Sequence, residues 1–211
     1  MRLHTFFRSS AAYRVRIGLN LKGLAAEMVP VHLRRNEQHS VDFARVNPQR
    51  FVPAVEDGGA VLTQSLAILE YLEETHPVPP LLPPDPVGRA RVRALALAVA
   101  CDIHPLNNLR VLRHLQNDLG LDEPARDAWA RHWIEEGFAA IETMLRDGPT
   151  GAFCHGDTPT LADVCLVPQV ANAHRVMTDL SPYPIIRRID ETCRALPAFA
   201  AAAPENQPDA E

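Results

Sequence analysis

Lysine is almost absent from this chain: its 21 basic side chains are arginines except for Lys22. We attach no function to that bias, but other absences exclude more. The four cysteines, Cys101, Cys154, Cys165 and Cys193, form no C-x-x-C, and none stands at zinc spacing from a histidine. That pattern suits reduced, mostly buried thiols of a cytosolic protein. There is no basic excess. The formal net charge is −5, so no general field exists to hold nucleic acid. No apolar run is long enough to span a membrane. Residues 1–23 lack the basic region and apolar block of a secretory signal. The expectation is a cytoplasmic protein with no nucleic acid and no membrane among its partners. There are no internal repeats.

What is present begins with length and proline. The 211 residues are 46% hydrophobic and 22% charged, an ordinary globular composition. Proline occurs 19 times, roughly twice the usual 5% or so. Pro77, Pro79, Pro80, Pro83, Pro84 and Pro86 fall close together. Proline lacks the amide proton and clashes with the preceding turn, so no helix runs through such a stretch. The chain is expected to divide there, into residues 1–78, a linker at 79–87, and residues 88–211. Charge divides too: acidic and basic side chains balance up to residue 86, and the net negative charge lies beyond it.

The first part reads as alternating elements. Strand patterns cover 3–7, 28–33, 53–56 and 60–63, the last two flanking the hairpin signal Asp57-Gly58-Gly59. Helical spacing covers 11–21, 41–46 and 66–75, with Ser65 as the expected cap of the third. The order is βαβαββα. Beyond the prolines the pattern is helical throughout: a long helix over 88–119 with a kink at Pro105, then 123–146, a helix from the capping box Thr160–Asp163 to about 176, and 184–196. The last dozen residues read as a loose tail. A small α/β domain followed by an all-helical one is the expected architecture.

Several residues are candidates for chemistry. Arg8-Ser9-Ser10 stands where the first strand meets the first helix. A helix amino terminus stabilises an anion, and a serine hydroxyl can donate to a thiolate. Either serine also serves as a plain cap. No cysteine stands there, so a thiol acting at this place arrives with a ligand. Gln64-Ser65 opens the third helix and suits a carboxylate, again against the alternative of capping alone. Val52-Pro53 suits a cis turn that leaves the Val52 backbone to pair with an extended ligand. In the helical part His104, Asn107, Asn108 and Val111 follow i, i+3, i+4, i+7, so three polar groups share one helix face, and a solvated face is the ordinary explanation. Arg175 alone reads as a surface charge.

Taken together, these residues resemble the zeta class of glutathione transferases. Arg8-Ser9-Ser10-Ala11-Ala12-Tyr13-Arg14-Val15-Arg16-Ile17 is similar to the zeta pattern S-S-C-x-W-R-V-R-I. Asn47-Pro48, Val52-Pro53, the run from Gln64 to Glu74, the block Thr160–Arg175, Tyr183-Pro184 and Gln207-Pro208-Asp209 match in order. The resemblance implies a thioredoxin-like, glutathione-binding N-terminal domain, an all-α substrate-binding domain with the site in the cleft between them, and a homodimer. It implies maleylacetoacetate isomerase activity in tyrosine and phenylalanine breakdown, with an acidic maleyl compound as substrate. Maleylpyruvate isomerase, a general conjugating transferase and a non-catalytic binding module are the alternatives. By the same resemblance Ser9 and Ser10 meet the glutathione sulfur, Gln38 reaches the glycyl end, Val52 pairs with the cysteinyl backbone, and Gln64 and Ser65 hold the γ-glutamyl carboxylate. His104, Asn108 and Arg110 border the site, and Arg8, Arg110 and Arg175 meet the acidic substrate. Ala11 and Tyr13 depart from the pattern's Cys and Trp, so any role of that cysteine is missing here.

Overall fold

A computed structural model describes residues 1–211. Two compact units emerge, residues 1–81 with 195–211, and residues 82–194.

The first unit is built on a four-stranded mixed sheet in the order β2-β1-β3-β4. Strand β1 (Arg2–Thr5) pairs in parallel with β2 (Glu27–Pro30) and antiparallel with β3 (Ala54–Asp57), which pairs antiparallel with β4 (Ala60–Thr63). The hairpin turn is Gly58-Gly59, with φ of 55° and 85°. Two successive left-handed residues make the turn whose twist matches the flanking strands, and glycine adopts them without steric cost. Helices α1 (Ser10–Leu21), α2 (Val41–Val46) and α3 (Ser65–Thr75) complete the expected βαβαββα order. One core joins Leu3, Val15, Leu19, Val55, Ile68 and Leu72, where α1 and α3 cover the sheet. A side chain at Gly18 would collide with Leu69, so glycine sets how closely α1 approaches α3. A second cluster, Phe6, Phe7, Val31, Phe43 and Val52, lies under the loop after β1.

Lys22 ends α1 as a buried staple. Its Nζ donates to Glu73 Oε2 (2.8 Å), to the His76 carbonyl (2.7 Å) and to the Pro79 carbonyl (3.0 Å). Glu73 also accepts from the Leu81 amide at 2.9 Å. The proline-rich stretch is thus pinned by one ammonium and one carboxylate.

The second unit holds α4 (Pro86–Leu97), α5 (Leu109–Asn117), α6 (Glu123–Arg146), α7 (Leu161–Arg175) and α8 (Pro184–Arg194). Helix α7 is its centre, with Val164, Val167 and Val170 fully enclosed. Asp163 accepts from the Thr160 amide (2.8 Å), as the capping box requires, and also from the Cys154 amide (2.8 Å). Glu142 on α6 accepts from the amides of Ile185 and Ile186 at the start of α8, 2.9 and 3.0 Å away. A buried carboxylate thus satisfies amides that the helix itself leaves unpaired.

Four expectations are corrected. The helix over 88–119 is not continuous: α4 passes into a π-helical turn (Ala98–Ile103), a 3₁₀ turn (His104–Asn107) and a break at Asn108 (φ −81°, ψ 159°) before α5. Pro105 has no amide to continue the ladder, and Asn108 caps a new helix. His104, Asn107 and Asn108 therefore do not share one helix face, and Asn107 is buried rather than solvated. Ser65 is not the cap of α3: Gln64 occupies that position and Ser65 is the first helical residue. The tail is not loose. It forms α9 (Pro197–Ala202) and a 3₁₀ turn (Pro204–Asn206). Residues 195–211, read with the helical part, pack on the first unit instead, where α9 lies along α1.

Candidate functional site

In the first unit Arg8, Ser9 and Ser10 follow β1, Gln64 and Ser65 open α3, Val52 precedes β3, and Gln38 lies in the turn before α2. The loop after β1 turns at Phe6, whose carbonyl accepts from the Ser9 amide at 2.9 Å. Ser9 is the cap of α1, and its Oγ accepts from the Ala12 amide at 3.2 Å. A hydroxyl has one proton and two lone pairs. With a lone pair committed to Ala12, the proton remains for an external acceptor at the positive end of a 12-residue helix. Ser9 is half-buried, whereas Ser10, inside the helix, is buried. Arg8 is half-buried beside them.

Gln64 stands at φ 69°, a left-handed value that few non-glycine residues adopt, and its Nε2 donates to Gln49 Oε1 at 2.9 Å. Ser65 Oγ accepts from Arg14 Nη1 at 3.3 Å. A buried guanidinium therefore lies under the start of α3, whose amides suit a carboxylate. The Val52–Pro53 bond is cis, and Val52 precedes the paired residues of β3. Gln38 is buried and its Oε1 has no hydrogen-bond partner. Such an orphaned acceptor fits a residue built to meet a ligand.

Arg14, Arg16 and Asp209 stand in the matching sequence patterns, but sequence reasoning gave them no role. Arg16 is 1% exposed. Its Nη1 donates to Thr5 Oγ1 (3.0 Å), its Nη2 to the Phe7 carbonyl (3.0 Å) and its Nε to the Ala202 carbonyl (3.0 Å). Burial pushes its pKa down to about 10, against the opposing pull of Asp209 and Tyr13. Asp209 Oδ2 accepts from the Phe7 amide at 2.9 Å. The available signal was two arginines, two positions apart, inside an otherwise apolar helix.

In the second unit, His104 opens the 3₁₀ turn and is half-buried. Asn108 Oδ1 accepts from the Arg110 amide at 2.9 Å, the capping role, and its side-chain N–H groups and the second lone pair of Oδ1 are not used by that bond. Arg110 lies in the first turn of α5 and Arg175 is the last residue of α7, both exposed. A cation at a helix carboxyl terminus also complements the dipole. Burial, then Asp163, raises the pKa of the buried Cys154 and Cys193 thiols, which disfavours their thiolate forms. Of the four cysteines only Cys101 is exposed.

Two family descriptions match the chain: glutathione S-transferase, N-terminal domain, over residues 1–74, and glutathione S-transferase, C-terminal domain, over residues 123–197. A probable maleylacetoacetate isomerase of Vibrio cholerae is 52% identical, over 99% of this chain and 97% of its own. The solved holo structure of a maleyl pyruvate isomerase, described as a bacterial zeta-class glutathione S-transferase, superposes with a TM-score of 0.98 at 51% identity, over the full length of both chains. A maleylacetoacetate isomerase from Anaeromyxobacter dehalogenans, solved with glutathione in its active site, gives a TM-score of 0.89 at 52% identity, over 100% of this chain and 97% of that one.

Proposed function

The chain belongs to the glutathione transferase family, and from that membership we infer a glutathione-dependent isomerase of the zeta class that converts maleylacetoacetate to fumarylacetoacetate. Glutathione is its cofactor. The observation that carries the site assignment is Ser9, a helix cap whose hydroxyl oxygen is engaged by Ala12 while its proton is not. Glutathione, held by these residues, would supply the thiol nucleophile for cis–trans isomerisation of the acidic substrate.

The chain's own residues have two tasks. One is to keep a thiol ionised, whose free pKa is about 8.5. The Ser9 hydroxyl donates to it and the amino terminus of α1 favours its charge. Ser10 is the second candidate. Gln38 is proposed for the glycyl end, where its orphaned Oε1 can accept from the glycyl peptide N–H, the Val52 backbone for the cysteinyl unit, and Gln64 and Ser65 for the γ-glutamyl carboxylate. The other task is to hold an acidic substrate and the negative charge that develops on its carbonyl oxygen. Arg8, Arg110 and Arg175 are the proposed guanidiniums, since arginine meets carboxylates in a bidentate fork. His104 and Asn108 are proposed to border the glutathione.

No helix is long and apolar enough to cross a membrane. Cytoplasmic location, assembly as a homodimer and a role in tyrosine and phenylalanine breakdown belong to the proposal. So does the division of labour between a glutathione-binding first unit and a substrate-binding second unit.

The test is an isomerase assay with maleylacetoacetate and maleylpyruvate, each with and without glutathione. Maleylacetoacetate should turn over only when glutathione is present. Preference for maleylpyruvate would transfer the assignment to that acid, and turnover of neither would overturn the reading. Arg175→Ala should lower kcat/KM for the acid about tenfold or more, the loss of a charge-assisted bond of about 1.5–3 kcal/mol. Glutathione affinity should stay unchanged. Wild-type kinetics would remove Arg175 from the site.

A further inference from the structure

We propose that the C-terminal segment is a positioning element of the sulfur end of the glutathione site, in which Asp209 and Arg16 together fix the loop that carries Ser9. The proposal rests on the reading that Ser9 meets the sulfur. Phe7 lies two residues before Ser9, and both of its backbone groups are held by side chains. Its amide donates to Asp209 and its carbonyl accepts from Arg16, at 2.9 and 3.0 Å. The neighbouring Phe6 carbonyl is shared between Arg16 Nη1 (3.4 Å) and the Ser9 amide (2.9 Å). A shift of this peptide therefore moves the cap of α1 with it.

The grip comes from the far end of the chain. Arg16 Nε also holds the Ala202 carbonyl, and Gln207 Nε2 donates to the carbonyls of Ala201 and Ala203, which folds the tail back toward α9. Glu211 then reaches the stretch leading to Gln38: Arg35 Nη2 donates to it at 3.1 Å, and His32 Nε2 lies 2.8 Å away. Two tail carboxylates thus touch the two stretches that carry the sulfur-end and glycyl-end candidates. A hydrogen bond from a buried amide to a carboxylate is stronger than one to a neutral acceptor. A site that must place one hydroxyl gains from having its supporting peptide fixed on both sides. The charged and titratable groups around the loop are Arg8 on it, Arg16 and Tyr13 on α1, His32, whose ring lies 5.1 Å from that of Phe6 and whose Nε2 meets Glu211, and Asp209 on the tail.

The sign of one measurement separates positioning from charge. Removing Asp209 deletes a negative charge and leaves Arg16 uncompensated. Through charge alone, either change would make a nearby thiol more acidic. Through position, a displaced Ser9 no longer donates, and the thiol becomes less acidic. The experiment titrates thiolate absorbance of glutathione bound to the wild-type protein, Asp209→Ala and Asp209→Asn, with isomerase kinetics and thermal unfolding in parallel.

Asp209→Ala should raise the bound thiol pKa by about one unit, a tenfold loss of thiolate worth about 1.4 kcal/mol. It should lower kcat/KM for glutathione by up to about tenfold at pH below the wild-type thiol pKa, and the deficit should close at alkaline pH. Asp209→Asn keeps an acceptor for the Phe7 amide and should fall between. That variant carries the test if the alanine variant does not fold. An unchanged or lowered thiol pKa in the variants, whatever happens to the melting temperature, overturns the positioning role. If the wild-type protein itself binds no glutathione, the glutathione reading fails, and the positioning role of Asp209 and Arg16 with it.

Discussion

Replacing Ser9 by alanine should produce two effects that separate cleanly. The first is on the fold. Ser9 Oγ accepts from the Ala12 amide, and loss of a serine cap costs about 1 kcal/mol. In a chain of this size that lowers the melting temperature by about 2–4 °C. The second is on the cofactor. A hydrogen bond to a charged acceptor is worth about 1.5–3 kcal/mol, so its loss should raise the bound thiol pKa by about 1–2 units. Ser9→Gly separates the two, because glycine is a tolerable cap but has no hydroxyl. It should show the same thiol shift with only a few tenths of a kcal/mol of lost stability. The assay is thiolate absorbance of bound glutathione against pH, beside thermal unfolding of each variant. If both variants titrate like wild type while Ser10→Ala is shifted, the sulfur contact belongs to Ser10. If none of the three is shifted, no serine activates the thiol.

Two further predictions concern the fold. Lys22→Met should cost about 3–5 kcal/mol in urea unfolding, because the buried Glu73 loses its ammonium partner and two carbonyls lose their donor. A loss under about 1 kcal/mol would show that the pair is not needed. Glu56 lies 2.6 Å from His4 Nε2, and that hydrogen bond, then Arg2, holds its pKa below 4.5. A depressed carboxylate pKa stabilises the fold above the unfolded value and loses that contribution as pH falls through the folded value. Urea midpoints should therefore fall below about pH 4.5 more steeply in wild type than in Glu56→Gln. Equal slopes would refute the contribution.

Much of the architecture was legible because it rests on local periodicity. Val15 and Leu19 on α1, and Leu69 and Leu72 on α3, declare their faces by spacing alone, and Gly58-Gly59 declares its turn. The break at Asn108 was not legible. Apolar residues keep helical spacing from α4 into α5, so only the missing amide of Pro105 signalled an interruption, and a kink was its mildest form. The tail was misread for a different reason. An Ala- and Pro-rich segment shows no period, and what orders it is a set of partners nearly two hundred positions away, Arg16 for Ala202 and Phe7 for Asp209. Of the candidate site, the serines and Gln64-Ser65 were visible as helix openings. The buried arginines beneath them were not, since sequence reads an arginine as solvated until a structure shows what encloses it.

The enclosure of Lys22 makes the protein a counter of its own openings. Cutting by a lysine-specific protease has one address within the chain, the bond to Gly23, and the side chain that marks it is fully covered and held by three acceptors. While the staple holds, the enzyme has nothing to grip. Each cut therefore registers one molecule in which the end of α1 has come free, and the cutting rate in dilute denaturant reads how often that occurs.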